Sequence, residues 1–129
     1  SDYFNNADKI LVYIDNNIEE YTADTIEFKQ ITDSLQKIVT NAHEMPAYGV
    51  SIDSETREAI KQGTWIELKY KSTETHNEMP FDSLLIKVDS EYSGFNLIRL
   101  HDNQYEGRCF YLSLDNTMEE LYNTLQELI

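Results

Sequence analysis

The chain has 129 residues, 40% of them hydrophobic, with 1 Trp, 9 Tyr and 5 Phe, which suffices for one compact core and is too rich in anchors for a disordered chain. Acids outnumber bases 24 to 10 for a formal charge of −14, and a surface so poor in Lys and Arg is unsuited to displacing counterions from a phosphate backbone, which argues against direct nucleic-acid binding. The single cysteine excludes an intramolecular disulfide and a cysteine-rich zinc module, and the longest purely apolar run, "ILVYI" at 10–14, falls far short of the about 20 residues needed to span a membrane.

In the first segment Ala7, Leu11, Ile14, Ile18 and Tyr21 recur at steps of three and four, the spacing of one helical face. Phe28, Ile31, Leu35, Ile38 and Ala42 repeat it. Between the two sets "TADTIE" places Glu27 three residues after Asp24, a capping-box spacing that satisfies free amides at a helix start. Two antiparallel helices are the simplest expectation. "HEMPAYGV" is read as a connector because Pro46 and Gly49 break the pattern. "DSETREAIKQG" reads as a short third helix capped by Asp53 or Ser54 and stopped at Gly63.

From residue 64 the pattern turns to β. In "TWIELKYK" Ile66, Leu68 and Tyr70 alternate with Trp65, Glu67 and Lys69. "SLLIKVD", "GFNLIRL" and "RCFYLSL" follow as strands, with short connectors "STETHNEMP", "SEYS" and "DNQYEG" that favour an antiparallel meander. Apolar neighbours such as Leu84 and Leu85 imply partial cover on both faces. "NTMEELYNTLQELI" pairs Thr117 with Glu120 at capping-box spacing and aligns Met118, Leu121, Leu125 and Leu128 as a terminal amphipathic helix. The expectation is one α+β domain over 1–129: a helical part at 1–63, with a helical hairpin and a short third helix, a four-stranded antiparallel meander at 64–114, and a terminal helix at 115–129. The helical first part holds 12 acids and 5 bases, the sheet 8 and 5, and the last part 4 and 0, the mark of a solvated surface.

Chemistry, if present, would centre on Cys109 with His101 as its base. If the last two strands pair with partner numbers summing to an even value near 210, His101 lies opposite Cys109 and a dyad is geometrically possible. An odd sum such as 209 sends the two side chains to opposite faces. A reactive thiol also needs exposure, a stabilising field and oxyanion donors; Arg108 is the nearest cation, but adjacent strand residues point apart. A packed cysteine is the plainer reading. His101, Asp102 and Glu106 could meet around one turn, yet they fall short of a closed zinc site and lack the spacing of a calcium loop. His43 and His76 lie in connector-like stretches. Isolated glycines at 49, 63, 94 and 107 form no phosphate cradle, and Glu67, Asp82 and Glu91 are not singled out as an acid-base pair. No catalytic, cofactor-binding or metal-ligating residue is therefore assigned, and no cofactor is expected.

At "MPFDSLLIKV" and "YEGRCFYLSL", with the Asn, Ile, Lys, Glu and Tyr bias around them, the chain resembles uncharacterised mature domains of small lipoproteins from clostridia and related low-GC Gram-positive bacteria, chiefly over residues 64–128. The resemblance implies a leader cysteine upstream of Ser1 and placement outside the cytoplasmic membrane, with membrane attachment only through such an upstream lipid anchor; the start on Ser1 and Asp2 without a methionine fits a trimmed or mature segment. It carries no function. Three functional expectations follow: a non-catalytic extracytoplasmic binding or structural domain taking a protein, peptide or cell-envelope ligand on an exposed part of the sheet or on the 71–80 loop; a cytoplasmic or phage-encoded acidic inhibitor that imitates nucleic acid to block a basic enzyme; and a cysteine-dependent enzyme.

Overall fold

A computed structural model describes residues 4, 6–46 and 49–128. Its first regular element overturns the N-terminal helical hairpin. Lys9–Ile14 (β1) and Asn17–Thr22 (β2) are antiparallel strands joined by Asp15 and Asn16, whose φ angles are 47° and 72°. A two-residue hairpin loop needs such a left-handed pair, and Asp and Asn tolerate it better than most side chains. The apolar run also fits a period of two. Ile10 and Val12 enter the main core, while Leu11 and Tyr13 pack on the opposite face. A strand buries both sets, whereas a helix would bury one stripe, and the β-branched content of "ILVYI" favours the strand.

Ile26–Val39 (α1) is helical as its spacing implies, with Ile31, Leu35 and Ile38 buried. Its cap is Thr25, whose hydroxyl accepts from the Phe28 amide at 3.2 Å, while Asp24 accepts from the Thr22 hydroxyl. The stretch read as a connector contributes two short strands, His43–Met45 (β3) and Val50–Ser51 (β4). Asp53–Ala59 (α2) follows without a side-chain cap of its own; Glu106 reaches over to accept from the Asp53 amide at 2.9 Å.

The remaining elements are Thr64–His76 (β5), Met79–Val88 (β6), Gly94–Leu100 (β7), Gly107–Arg108 (β8), Phe110–Ser113 (β9) and Glu119–Glu127 (α3). They complete a seven-stranded antiparallel sheet in the order β2-β1-β5-β6-β7-β9-β3, with β4 and β8 as a separate pair. The protein is thus α+β and mostly β, and the expected helical hairpin followed by four strands is not its arrangement. β1 extends the sheet by pairing with β5, Val12 opposite Ile66, and β3 extends it by pairing with β9, Glu44 opposite Leu112. These pairings join residues far apart in the chain, which local periodicity does not report.

The 71–80 segment, expected as a loop, is the far end of the β5–β6 hairpin, turned by Asn77 and Glu78 at positive φ. Between the pairs Lys69–Ser83 and Glu74–Phe81 the register shifts, so that residues 70–73 face Asp82 alone. Such a bulge bends and twists a hairpin. The bend carries its tip over the sheet: the Phe81 and His76 rings meet Phe110 edge-on at 6.0 and 4.9 Å, and Glu44 of β3 holds both His76 at 2.7 Å and Asn77 at 2.8 Å.

Cover is unequal on the two faces. α1 and α3 pack together over one face, where Leu35, Leu121 and Leu125 meet Ile66, Leu84, Ile86 and Leu97 in the main core, and Ser34 bonds Thr124 at 2.6 Å. On the other face, among the described residues, short α2, the β4–β8 pair and the 101–106 turn lie about a smaller cluster of Tyr13, Ile60, Trp65, Leu85 and Tyr105. Beyond that cluster the described residues leave depressions beside Trp65, Asn96 and Ile98, and this asymmetry positions the site.

Candidate functional site

The hairpin register decides the cysteine question. β7 and β9 pair with Phe95 opposite Leu112 and Leu97 opposite Phe110, an odd register that is two residues short of the odd one considered. His101 instead closes a tight turn with Gln104 through Asp102 and Asn103, both at positive φ. Its ring lies 3.5 Å from Asp82 on one side and 3.5 Å from Asp102 on the other. Cys109 is buried. Burial pushes its thiol pKa up, against smaller opposing contributions from the Arg99 charge and the Ser51 amide. The cation that reaches it is therefore Arg99 and not Arg108, whose carbonyl accepts from Arg99 Nε at 2.8 Å. A neutral, packed thiol is a poor nucleophile. Iodoacetamide at neutral pH is expected to leave Cys109 unlabelled in the folded protein and to label it after denaturation, read by mass spectrometry; rapid labelling in the folded state would contradict this placement.

The other sequence candidates disperse. Glu106 is engaged at the start of α2, His43 is exposed on an edge strand, His76 is tied to Glu44, and among the described residues no group of three His, Cys, Asp or Glu side chains could hold a metal ion.

Glu67, which the sequence did not single out, is the one buried carboxylate among the described residues. It is only 1% exposed, between β1 and β6 on the smaller cluster's face. Tyr13 donates to Oε1 at 2.8 Å, and Ser83 and Tyr105 donate to Oε2 at 2.7 and 2.6 Å. Burial first, and then the Glu67 charge, push both phenols well above the ordinary tyrosine range. Arg57 of α2 lies 5.1 Å from the centre of the Tyr105 ring, donates to the Asn103 carbonyl at 2.7 Å and pairs with Asp53. Asp53 also accepts from the Tyr105 amide at 2.8 Å. That bond first, and the Arg57 contact second, hold its carboxyl below the usual range. With every oxygen of Glu67 engaged and no opening to solvent, this network fixes α2 and the 101–106 turn to the sheet and has no room for a substrate.

The open part of the same face is different. Two adjoining depressions of about 600 and 270 Å³ share Trp65, Asn96 and Ile98 as a floor. One wall is α2 and β4, bearing Val50 and Ile52; the other is the 91–94 turn with Tyr92. Val50, Ile52 and Tyr92 are 69%, 47% and 43% exposed, and three exposed large apolar side chains around one groove mark a candidate binding surface.

The groove is built as well as apolar. Gly94 pairs with Ser113 in the sheet, and a Cβ there would collide with the Tyr111 hydroxyl and ring and with the Leu112 carbonyl. The bare glycine therefore leaves the space in which Tyr111 lies. The 89–93 turn is fixed by Tyr92 N–H to Asp89 O at 3.2 Å, Leu114 N–H to Ser93 O at 2.8 Å and Met118 N–H to Tyr92 O at 2.8 Å. Trp65 donates its ring N–H to the Gln62 carbonyl at 2.8 Å, with the Lys87 ammonium 5.9 Å from its ring centre. A depression of about 730 Å³ between the end of α1 and α3 is larger, but polar and acidic side chains and the Lys37–Glu120 ion pair fill its walls. That is a solvated notch, not a shaped site.

Comparison with known proteins gives no family model that matches the chain, no similar curated protein and no similar solved structure. The functional reading therefore rests on the groove itself.

Proposed function

We propose that the protein is a non-catalytic, extracytoplasmic domain that binds a component of the bacterial cell envelope in the groove above Trp65, Asn96 and Ile98. The observation that carries this reading is the convergence of exposed Val50, Ile52 and Tyr92 on the depressions floored by Trp65, Asn96 and Ile98. The resemblance to small Gram-positive lipoproteins supports the extracytoplasmic placement. Binding is assigned to the open sheet and not to the 71–80 segment, because the latter is committed to Phe110 and Glu44.

The acidic-inhibitor reading has less behind it. Imitation of a phosphate backbone calls for carboxylates ranked on one face, whereas here Glu19 and Glu20 lie on β2, Glu27 and Asp33 on α1, Glu55 and Glu58 on α2, and Glu119 and Glu127 on α3. Five of the cations already pair with acids across these elements. The cysteine-enzyme reading loses its base to the register of β7 and β9.

Co-sedimentation with purified Gram-positive cell walls tests the proposal. The wild-type protein is expected to pellet with the walls, and a Tyr92→Ala/Asn96→Ala variant, altered at two exposed positions, is expected to lose most of that binding while melting at the same temperature. Failure of the wild type to bind, or equal binding by the variant, would overturn the reading.

A further inference from the structure

We propose that the β2 edge of the sheet is a second interaction surface, separate from the groove, which takes an extended cationic segment of another protein as an added strand.

The two ends of the seven-stranded sheet differ. β3 is three residues long, and its Glu44 is engaged with His76 and Asn77. β2 runs for six residues in unbroken register with β1, and all of them but Tyr21 are exposed. It has no Pro, no Lys and no bulge, three of the devices by which proteins blunt an open edge. The two-residue turn makes Ile14 and Asn17 a hydrogen-bonded pair, and such pairs alternate along an antiparallel ladder, so Asn17, Glu19 and Tyr21 bond to β1. Ile18 and Glu20 therefore turn their N–H and C=O groups outward. Thr22 adds an outward N–H, its carbonyl being taken by Thr25. Such a row of main-chain donors and acceptors is a template for another extended chain.

Charge decides which chain. Residues 15–28 hold five acids and neither Lys nor Arg. A second copy is disfavoured: the antiparallel self-pairings that match the outward groups over most of β2 set Glu19 or Glu20 directly opposite its own counterpart, between two molecules of charge −14. A cationic strand meets attraction instead. Glu20 shares a face with Ile18, where Lys9 reaches it at 3.3 Å. Glu19 faces the other way. Burial first, and then the charges of Glu19 and of Glu27 on α1, push the Tyr21 phenol up, so two carboxylates stand near that ring. A recess of about 180 Å³ lies there among Val12, Ile14, Tyr21, Leu125 and Leu128, with Glu19 in its wall. It suits the apolar stem of a Lys or Arg whose charged head meets Glu19. A small polyamine would satisfy the charge and leave the backbone row unpaired; a cationic strand satisfies both.

The test adds a capped peptide of four Lys-Val repeats, which sets Lys over Glu19 and Val over Ile18, and follows amide hydrogen exchange of the whole chain by NMR. At saturation the Ile18, Glu20 and Thr22 amides are expected to exchange roughly tenfold more slowly than in the free protein. The same peptide methylated on every backbone nitrogen keeps its charge but loses its donors, and is expected to give no protection; neither is a Glu-Val counterpart. Glu19→Lys is expected to weaken binding of the Lys-Val peptide roughly tenfold, an attraction turned into a repulsion, while the groove variant Tyr92→Ala binds it as wild type. No protection at saturating peptide would overturn the inference. So would equal binding of the methylated peptide, which is charge attraction without strand pairing, and loss of binding in Tyr92→Ala, which would place the peptide in the groove. Protection that grows with protein concentration in the absence of peptide would make a second copy the occupant and overturn it as well.

Discussion

Glu67→Ala is expected to destabilise the fold by about 3–5 kcal/mol, the range seen when one member of a buried charged network is removed. The substitution leaves the hydroxyls of Tyr13, Ser83 and Tyr105 buried without their acceptor, and each such orphaned group costs about 1–3 kcal/mol. Against a typical domain stability of about 5–15 kcal/mol, the variant sits near the edge of folding. Urea denaturation measures the loss. Replacing the whole network by apolar groups (Glu67→Leu with Tyr13→Phe, Ser83→Ala and Tyr105→Phe) is expected to cost less than Glu67→Ala alone, because no polar group is then stranded. A loss below about 1 kcal/mol for Glu67→Ala would mean that water or a rearranged partner satisfies those hydroxyls.

The same network sets an alkaline limit. Tyr13 and Tyr105 have pKa values raised in the folded state, so the stability they bring is complete below the unfolded phenol value near 10 and is lost as pH rises beyond it. Tyr105→Phe is expected to flatten the fall in stability above about pH 10, at the expense of stability at neutral pH.

The second large effect belongs to the groove. Gly94→Ala is expected to cost about 1–3 kcal/mol, the range for forcing extra volume into a packed site, and to abolish binding. A Cβ at 94 meets not only the movable Tyr111 ring but also the Leu112 carbonyl at 2.8 Å, so the strand pair itself must give. Asn96→Ala, two residues along the same strand face and exposed, is expected to weaken binding without that stability loss. Melting curves beside wall co-sedimentation separate the two. If Gly94→Ala melts and binds like wild type, Tyr111 does not depend on the space at Gly94.

Individual elements were legible where one local signal stood alone, although the arrangement was not. The spacing of Ile31, Leu35 and Ile38 and the stripe of Met118, Leu121 and Leu125 led to the right elements because each buries one regularly spaced face, and the alternation of Ile66 and Leu68 with Trp65 and Glu67 did so because β5 sends the two sets to opposite faces of the sheet. Residues 7–21 misled because their apolar positions fit both periods, and the deciding clue was the Asp15-Asn16 pair that turns the hairpin. The same signature recurs at Asn77-Glu78 and Asp102-Asn103. Strand order stayed hidden, since Val12 opposite Ile66 and Glu44 opposite Leu112 are contacts between residues far apart in the chain.

The site was less legible than the fold. The sequence draws the eye to Cys109 and His101, reactive residue types near each other in the chain, whereas the groove gathers ordinary residues, Val50, Ile52, Trp65, Tyr92 and Asn96, from separate elements. Gly94 was visible as a strand start. That its missing Cβ makes room for Tyr111 follows only from the pairing of β7 with β9.

The groove assignment is tested most directly by amide chemical-shift mapping of the folded protein as solubilised cell-wall fragments are added. Saturable shifts are expected to concentrate at Trp65, Lys87, Glu91–Asn96, Ile98 and Tyr111, leaving α1, α3 and β2 unmoved. Shifts centred on those helices or on the β2 edge, or none at all with the fragments in excess, would contradict it.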